Sequence, residues 1–144
     1  MVSCVKSLLA IGAVVLLATC AGVPTAPDNA PGSTQTYQPP EGKANIYIVR
    51  PFSFLGAVNL AQVFVDGKLL GSIGVGTYFV VAVDPGQHSV VATDPQWNAK
   101  VKLTAESGKN YFCSLAIGFS LDQLDEKAGE KTVNACTRDE SIDE

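Results

Sequence analysis

Apolar positions along this chain come in two kinds: one unbroken block near the N-terminus, then a series of short blocks cut by turn residues. Residues 8–18 (LLAIGAVVLLA) run without a charge and are apolar on every helical face. From residue 44 onward the blocks shorten. Residues 44–50 (ANIYIVR) are β-branched and aromatic and stop at Pro51, which predicts a strand. Residues 62–65 and 68–73 form two further blocks around Asp66-Gly67. Asp-Gly between apolar runs predicts a hairpin, because a type I′ turn needs positive φ at both central residues.

Residues 78–83 (YFVVAV) are apolar on both faces, which predicts a central strand covered on both sides. Asp84-Pro85-Gly86-Gln87 fits a type II turn, with Pro second and Gly third. Residues 88–93 form the next strand, closed by Asp94-Pro95. Residues 100–104 alternate wet and buried positions, Glu106-Ser107-Gly108-Lys109 is a turn, and residues 110–117 return as a strand. Residues 121–128 predict one or two helical turns ending at Gly129, residues 131–137 a last edge strand, and residues 138–144 a charged tail. The expected fold is all-β: a small antiparallel β-sandwich of about seven strands with a short C-terminal helical turn.

The N-terminal block is read as a targeting segment. Lys6 and the amino terminus precede it, and its eleven residues fall short of the roughly 20 that a helix needs to cross a bilayer. Leu17-Ala18-Thr19-Cys20 resembles the lipobox of bacterial lipoproteins, which implies acylation (palmitate) of Cys20. Thr19 departs from the small residue usual before that Cys, and cleavage near Ala21-Gly22 with simple secretion is the alternative. Several acyl chains on one residue hold a protein on a membrane where one chain anchors only marginally. Residue 21 is Ala and not Asp, which by the same resemblance favours the outer membrane, with the chain facing the periplasm of a bacterial envelope. Residues 21–42 are rich in Pro, Ala, Thr and Gly and read as an extended tether. The division expected is therefore 1–20 signal segment, 21–42 tether, 43–137 sandwich and 138–144 tail.

The blocks Ile46-Tyr47-Ile48-Val49-Arg50-Pro51, Ser53-Phe54-x-Gly56, Val63-Phe64-Val65-Asp66-Gly67-Lys68, Gly76-x-Tyr78-Phe79, Pro85-Gly86-x-His88 and Gly108-Lys109-x-Tyr111-Phe112 occur in that order over about residues 44–118. In order and spacing they resemble the "domain of unknown function 2846" family, small bacterial envelope domains of which many are predicted lipoproteins. They are also similar to PEGA-type and transthyretin-like sandwich modules. Several of the blocks are turn chemistry, so the resemblance implies a shared fold and no particular activity or ligand.

Composition narrows the function classes. The 144 residues are 47% hydrophobic and 17% charged, with formal charge -4 from 10 Lys and Arg against 14 Asp and Glu. A weakly acidic chain without a basic cluster lacks the electrostatic footprint for nucleic acid. Its single His, His88, is read as a structural residue after the Pro-Gly turn, since hydrolytic and metal sites recruit several groups. Gly71-Ser72-Ile73-Gly74 is too short for a nucleophile elbow, and Gly74-Val75-Gly76 and Gly108-Lys109 lack the rest of a nucleotide motif. Asp122, Asp125, Glu126 and Glu130 read as a solvated helix face. No catalytic residue, metal or cofactor is expected.

Of the four cysteines, Cys4 lies in the signal and Cys20 at its end; Cys113 and Cys136 are expected to pair in an oxidising compartment, two buried reduced thiols being the alternative. Arg50, Phe52, Phe54 and Leu55, with Trp97, make the most suggestive patch, either an exposed contact surface or core filling at one end of the sandwich. The resulting expectation is a non-catalytic envelope lipoprotein that acts as an interaction or structural module, with the membrane and an envelope protein as partners. The alternative is a secreted or periplasmic small-ligand binder with a pocket near Phe52, Phe54 and Trp97.

Overall fold

A computed structural model describes residues 36–54, 59–116 and 120–139. Their elements are β1 (Ala44–Arg50), β2 (Ala61–Val65), β3 (Lys68–Ile73), β4 (Thr77–Val83), β5 (Gly86–Thr93), β6 (Asn98–Ala105), β7 (Asn110–Leu115), β8 (Leu121–Leu124), α1 (Glu126–Asn134) and β9 (Thr137–Arg138). They build a five-stranded sheet, β8-β7-β1-β4-β9, packed on a four-stranded sheet, β3-β2-β5-β6. The pairing is antiparallel except for β1 with β7 and β4 with β9, which are parallel. The all-β sandwich expected from the sequence is thus present, with more strands.

The middle of the five-stranded sheet is β1, where every residue is buried. Strand alternation sends Ile46 and Ile48 into the core between the sheets and Tyr47 and Val49 to the other face. That second face is covered by α1 and forms a smaller core of Tyr47, Val49, Tyr78, Phe112 and Val133. The doubly covered strand is therefore β1. The sequence points to β4 in that role, but β4 lies one place from the sheet edge, where β9 shields only Thr77 and Tyr78, and Ala82 is exposed.

Asp66 and Gly67 take φ of 51° and 83°, the paired positive values of the expected type I′ hairpin between β2 and β3. Gly86 also has positive φ, at 143°, but the segment it occupies crosses from one sheet to the other.

The C-terminal region differs from expectation. Residues 121–124 are a strand and not a helical turn. Leu121 and Leu124, three apart, point to opposite faces of β8, and each finds a core because both faces of this sheet are covered. The helix starts later, at the N-cap Asp125, whose Oδ1 accepts from the Ala128 amide at 2.9 Å. It runs through Gly129 instead of ending there. A Cβ at residue 129 would lie 2.1 Å from Phe112 Cγ, so the glycine lets α1 approach the sheet. The edge strand expected at 131–137 shrinks to β9, because residues 131–134 belong to α1.

The tether also ends earlier than residue 42. Tyr37 packs edge-on against Tyr47 and Phe112, with ring centroids 5.4 and 5.8 Å away. Its hydroxyl donates to Asn134 Oδ1 at 2.7 Å and lies 3.1 Å from the Glu130 carbonyl oxygen, and its own carbonyl accepts from Asn110 Nδ2. Burial and the neighbouring Glu130 push its phenol up to about 12. Residue 37 is thus part of the helix-side core.

Candidate functional site

The loops at the two ends of the sandwich carry the surface chemistry. At the end where β1 finishes, Arg50 is buried, and its Nη1 donates to the carbonyls of Asn59 at 2.6 Å and Ile73 at 3.1 Å. The Gly76 amide donates to the Arg50 carbonyl at 2.8 Å. These bonds root the loop after β1 against the turn between β3 and β4. Burial lowers the Arg50 pKa from its ordinary value, opposed by the charge of Asp94. Arg50 is therefore the root of the patch and not a contact residue.

On that root stand Phe52, 65% exposed, and Phe54, 89% exposed, edge to face at 5.1 Å. Leu60, 61% exposed, stands at the same end, just before β2. A Cβ at Gly76 would touch Phe52 Cδ2 and one at Gly74 would touch Leu60 Cδ2, each at 3.6 Å, so both apolar side chains lean on a glycine turn. Of the two readings of this block, exposure and not core filling describes Phe52 and Phe54. Leu55 lies outside the described residues. Trp97 is half-buried against the inter-sheet core, in a turn where Asp94 Oδ1 accepts from the Gln96 and Trp97 amides. It plugs the core and leaves the exposed patch. Leu60 is the member that sequence reasoning missed; a leucine just outside a predicted strand was the available signal.

The opposite end is polar. His88 Nδ1 lies 2.6 Å from Asp66 Oδ2 and Nε2 lies 2.7 Å from the Asp84 carbonyl. Both partners are acceptors, so both ring nitrogens must donate and the ring is favoured as imidazolium. Burial pulls the His88 pKa down, but the bonds and charges of Asp66 and Asp84 outweigh it, and the net value is raised. The His88 bond lowers the Asp66 pKa, and the Lys43 bond, at 2.6 Å, lowers that of Asp84. Asp66 Oδ1 also accepts from the Ser89 amide. The single His is thus committed to joining the β2–β3 hairpin to the β4–β5 connection. Beside it, Gln87, Ser89, Lys100, Lys102, Thr104 and Gln123 border an open cleft of about 590 Å³. This cleft is at the far end from the pocket position expected near Phe52 and Trp97.

The remaining predicted sites separate. Cys113 lies in the core between the sheets and Cys136 in the helix-side core, so the five-stranded sheet stands between them. Both are free thiols. The expected bridge is absent because residue 113 alternates to the inner face, and a disulfide needs converging Cβ vectors. Burial pushes the Cys113 thiol up to about 12 and raises that of Cys136. The four acidic residues do not share a helix face: Asp122 is on β8 and accepts from the Ser120 hydroxyl, and Asp125 is the cap. Among the described residues no three His, Cys, Asp or Glu side chains come together as metal ligands, and no helix is long and apolar enough to cross a membrane. Cys20 lies outside the described residues.

Comparison with known proteins agrees with the fold-level reading. The family described as "Protein of unknown function (DUF2846)" matches residues 40–130. An uncharacterized protein of Haemophilus influenzae is 30% identical over 132 residues, covering 86% of this chain and 78% of that protein.

Proposed function

The chain belongs to the DUF2846 family, and from that premise we propose that it is a non-catalytic envelope lipoprotein whose work is done by surface contacts. Acyl chains on Cys20 hold it to a bacterial membrane, the outer membrane being favoured, with the sandwich facing the periplasm. The apolar end is its contact surface. The observation that carries this reading is the Phe52–Phe54 pair: two aromatic rings held out in solvent on a loop whose base is fixed by a buried guanidinium. Exposed aromatic side chains on a rigid base are how proteins present contacts at low entropic cost.

The anchor is tested by fractionation. Wild-type chain is expected in the membrane pellet with palmitate on Cys20, and Cys20→Ala in the soluble fraction. A Cys20→Ala chain that stays in the pellet removes the anchor from the proposal. Recovery of an envelope protein with wild type but not with Phe52→Ser/Phe54→Ser is the expected pull-down result for a protein partner.

A second reading, a small-ligand binder, is favoured by the cleft beside His88. Its lysines, amides, hydroxyls and the Asp66 carboxylate suit a polar ligand and not the apolar one expected near Phe52. Saturable binding abolished by Lys100→Ala/Lys102→Ala is the result that supports it.

A further inference from the structure

We propose that the Phe52–Phe54–Leu60 end is a membrane-contact surface, so that the anchored sandwich stands with this end on the bilayer; the inference rests on the anchor at Cys20. Phe52, Phe54 and Leu60 are the exposed large apolar side chains among the described residues, and they share one end. The other end carries the Lys43–Asp84, His88–Asp66 and Lys109–Glu106 ion pairs. Among the described residues the exposed large apolar side chains and the ion pairs thus lie at opposite ends.

Reach does not choose between the ends. Seventeen residue steps separate Cys20 from Tyr37, a span of at most about 60 Å. An eight-residue strand such as β5 is only about 27 Å long. Either end can therefore meet the membrane, and surface chemistry decides. Setting the ion-paired end on lipid would dehydrate charges, whereas setting the aromatic end there removes apolar surface from water.

The anchor favours lipid over protein, because acylation of Cys20 keeps a bilayer within reach of this end. Among the described residues, Phe52, Phe54 and Leu60 at their observed exposures offer a few hundred Å² of apolar surface to it. A bilayer needs no complementary shape, and aromatic and leucine side chains partition at its headgroup boundary. Anchoring makes this contact intramolecular, so weak individual partitioning is enough to orient the domain.

The test places the acylated full chain on phosphatidylcholine vesicles with or without acyl-chain bromination. It carries Phe54→Trp and Trp97→Phe, so that residue 54 holds the lone indole. Bromine is expected to quench residue 54 by roughly half or more, and to leave a Gln87→Trp control at the far end unquenched. Should Trp97→Phe unfold the domain, quenching is compared between Phe54→Trp and the wild-type chain. Unquenched emission at residue 54 on vesicle-bound protein overturns the proposal while leaving the anchor intact. Emission shifted to the blue without quenching also overturns it, and assigns the patch to a protein. If the acylated chain does not stay on vesicles, the anchor fails and the contact that rests on it fails with it.

Discussion

At the end where β1 begins, charge holds the loops: Lys43 to Asp84 and His88 to Asp66 between segments, Lys109 to Glu106 within one turn. At the end where β1 finishes, one buried arginine fixes the loop from below, and what it holds up is apolar and in solvent. Among the described residues both ends make hydrogen bonds, but the polar end uses its surface side chains to hold itself together. The apolar end leaves its surface side chains to do something else. Phe52 and Phe54 are thus separable from stability in a way that Asp66 and His88 are not.

The sharpest way to break this comparison is at Arg50. Arg50→Met keeps the apolar stem but leaves the Asn59 and Ile73 carbonyls without their charged donor. It should cost about 3 kcal/mol in denaturant unfolding, and susceptibility to proteolysis should rise first in the loop after β1. A loss below about 0.5 kcal/mol would mean that the loop is not rooted through this side chain.

The next effect is at the hairpin. Asp66→Ala removes the bonds to His88 and Ser89 and puts Ala at φ 51°, for an expected loss of about 1 kcal/mol. Asp66→Asn tolerates that conformation and should lose less. Equal losses in the two variants would assign the whole effect to charge.

The pH profile follows at smaller amplitude. The folded His88 value is raised above 6.5, so its contribution is complete below that value and is lost as pH rises through the raised one. The folded Asp66 value is depressed below 3.8, so its contribution is present above that value and is lost as pH falls through the depressed one. Melting temperature should therefore be highest between about pH 4 and 6.5 and decline on both sides, and Asp66→Asn should flatten both slopes. A profile identical in wild type and Asp66→Asn would remove the clamp from the account.

The smallest expected change in stability, within about 0.5 kcal/mol, belongs to Phe52→Ser/Phe54→Ser. The same variant should alter vesicle or partner contact, and a large loss of stability would show that the rings belong to the core after all.

Much of the sandwich was legible because its signals are local. The β1 and β3 boundaries match the predicted blocks, and Asp66-Gly67 makes its turn through two backbone angles that the dipeptide favours. His88 could be read as structural from its isolation, but its partners could not, since Asp66 lies 22 positions away and Asp84 contributes only a carbonyl. At the candidate site the aromatic block was visible, but exposure separated Phe52 and Phe54 from Arg50 and Trp97. The C-terminal region misled for one reason: residues 121–134 are weakly patterned and took their state from neighbours. Leu121 and Leu124 suit a helix or a doubly covered strand equally, and Gly129 reads as a stop until Phe112 is seen beneath it.

The sequence by itself determined the sandwich class, most of the strands and the hairpin, because alternation and turn chemistry act over a few residues. Only the tertiary structure decided which strand is central, that Tyr37 joins the domain, that the sheet keeps Cys113 from Cys136, and that apolar and ion-paired loops collect at opposite ends. Those outcomes depend on strand order and on which side of a sheet each residue meets. Such pairings join positions far apart in the chain, and no short-range pattern encodes them.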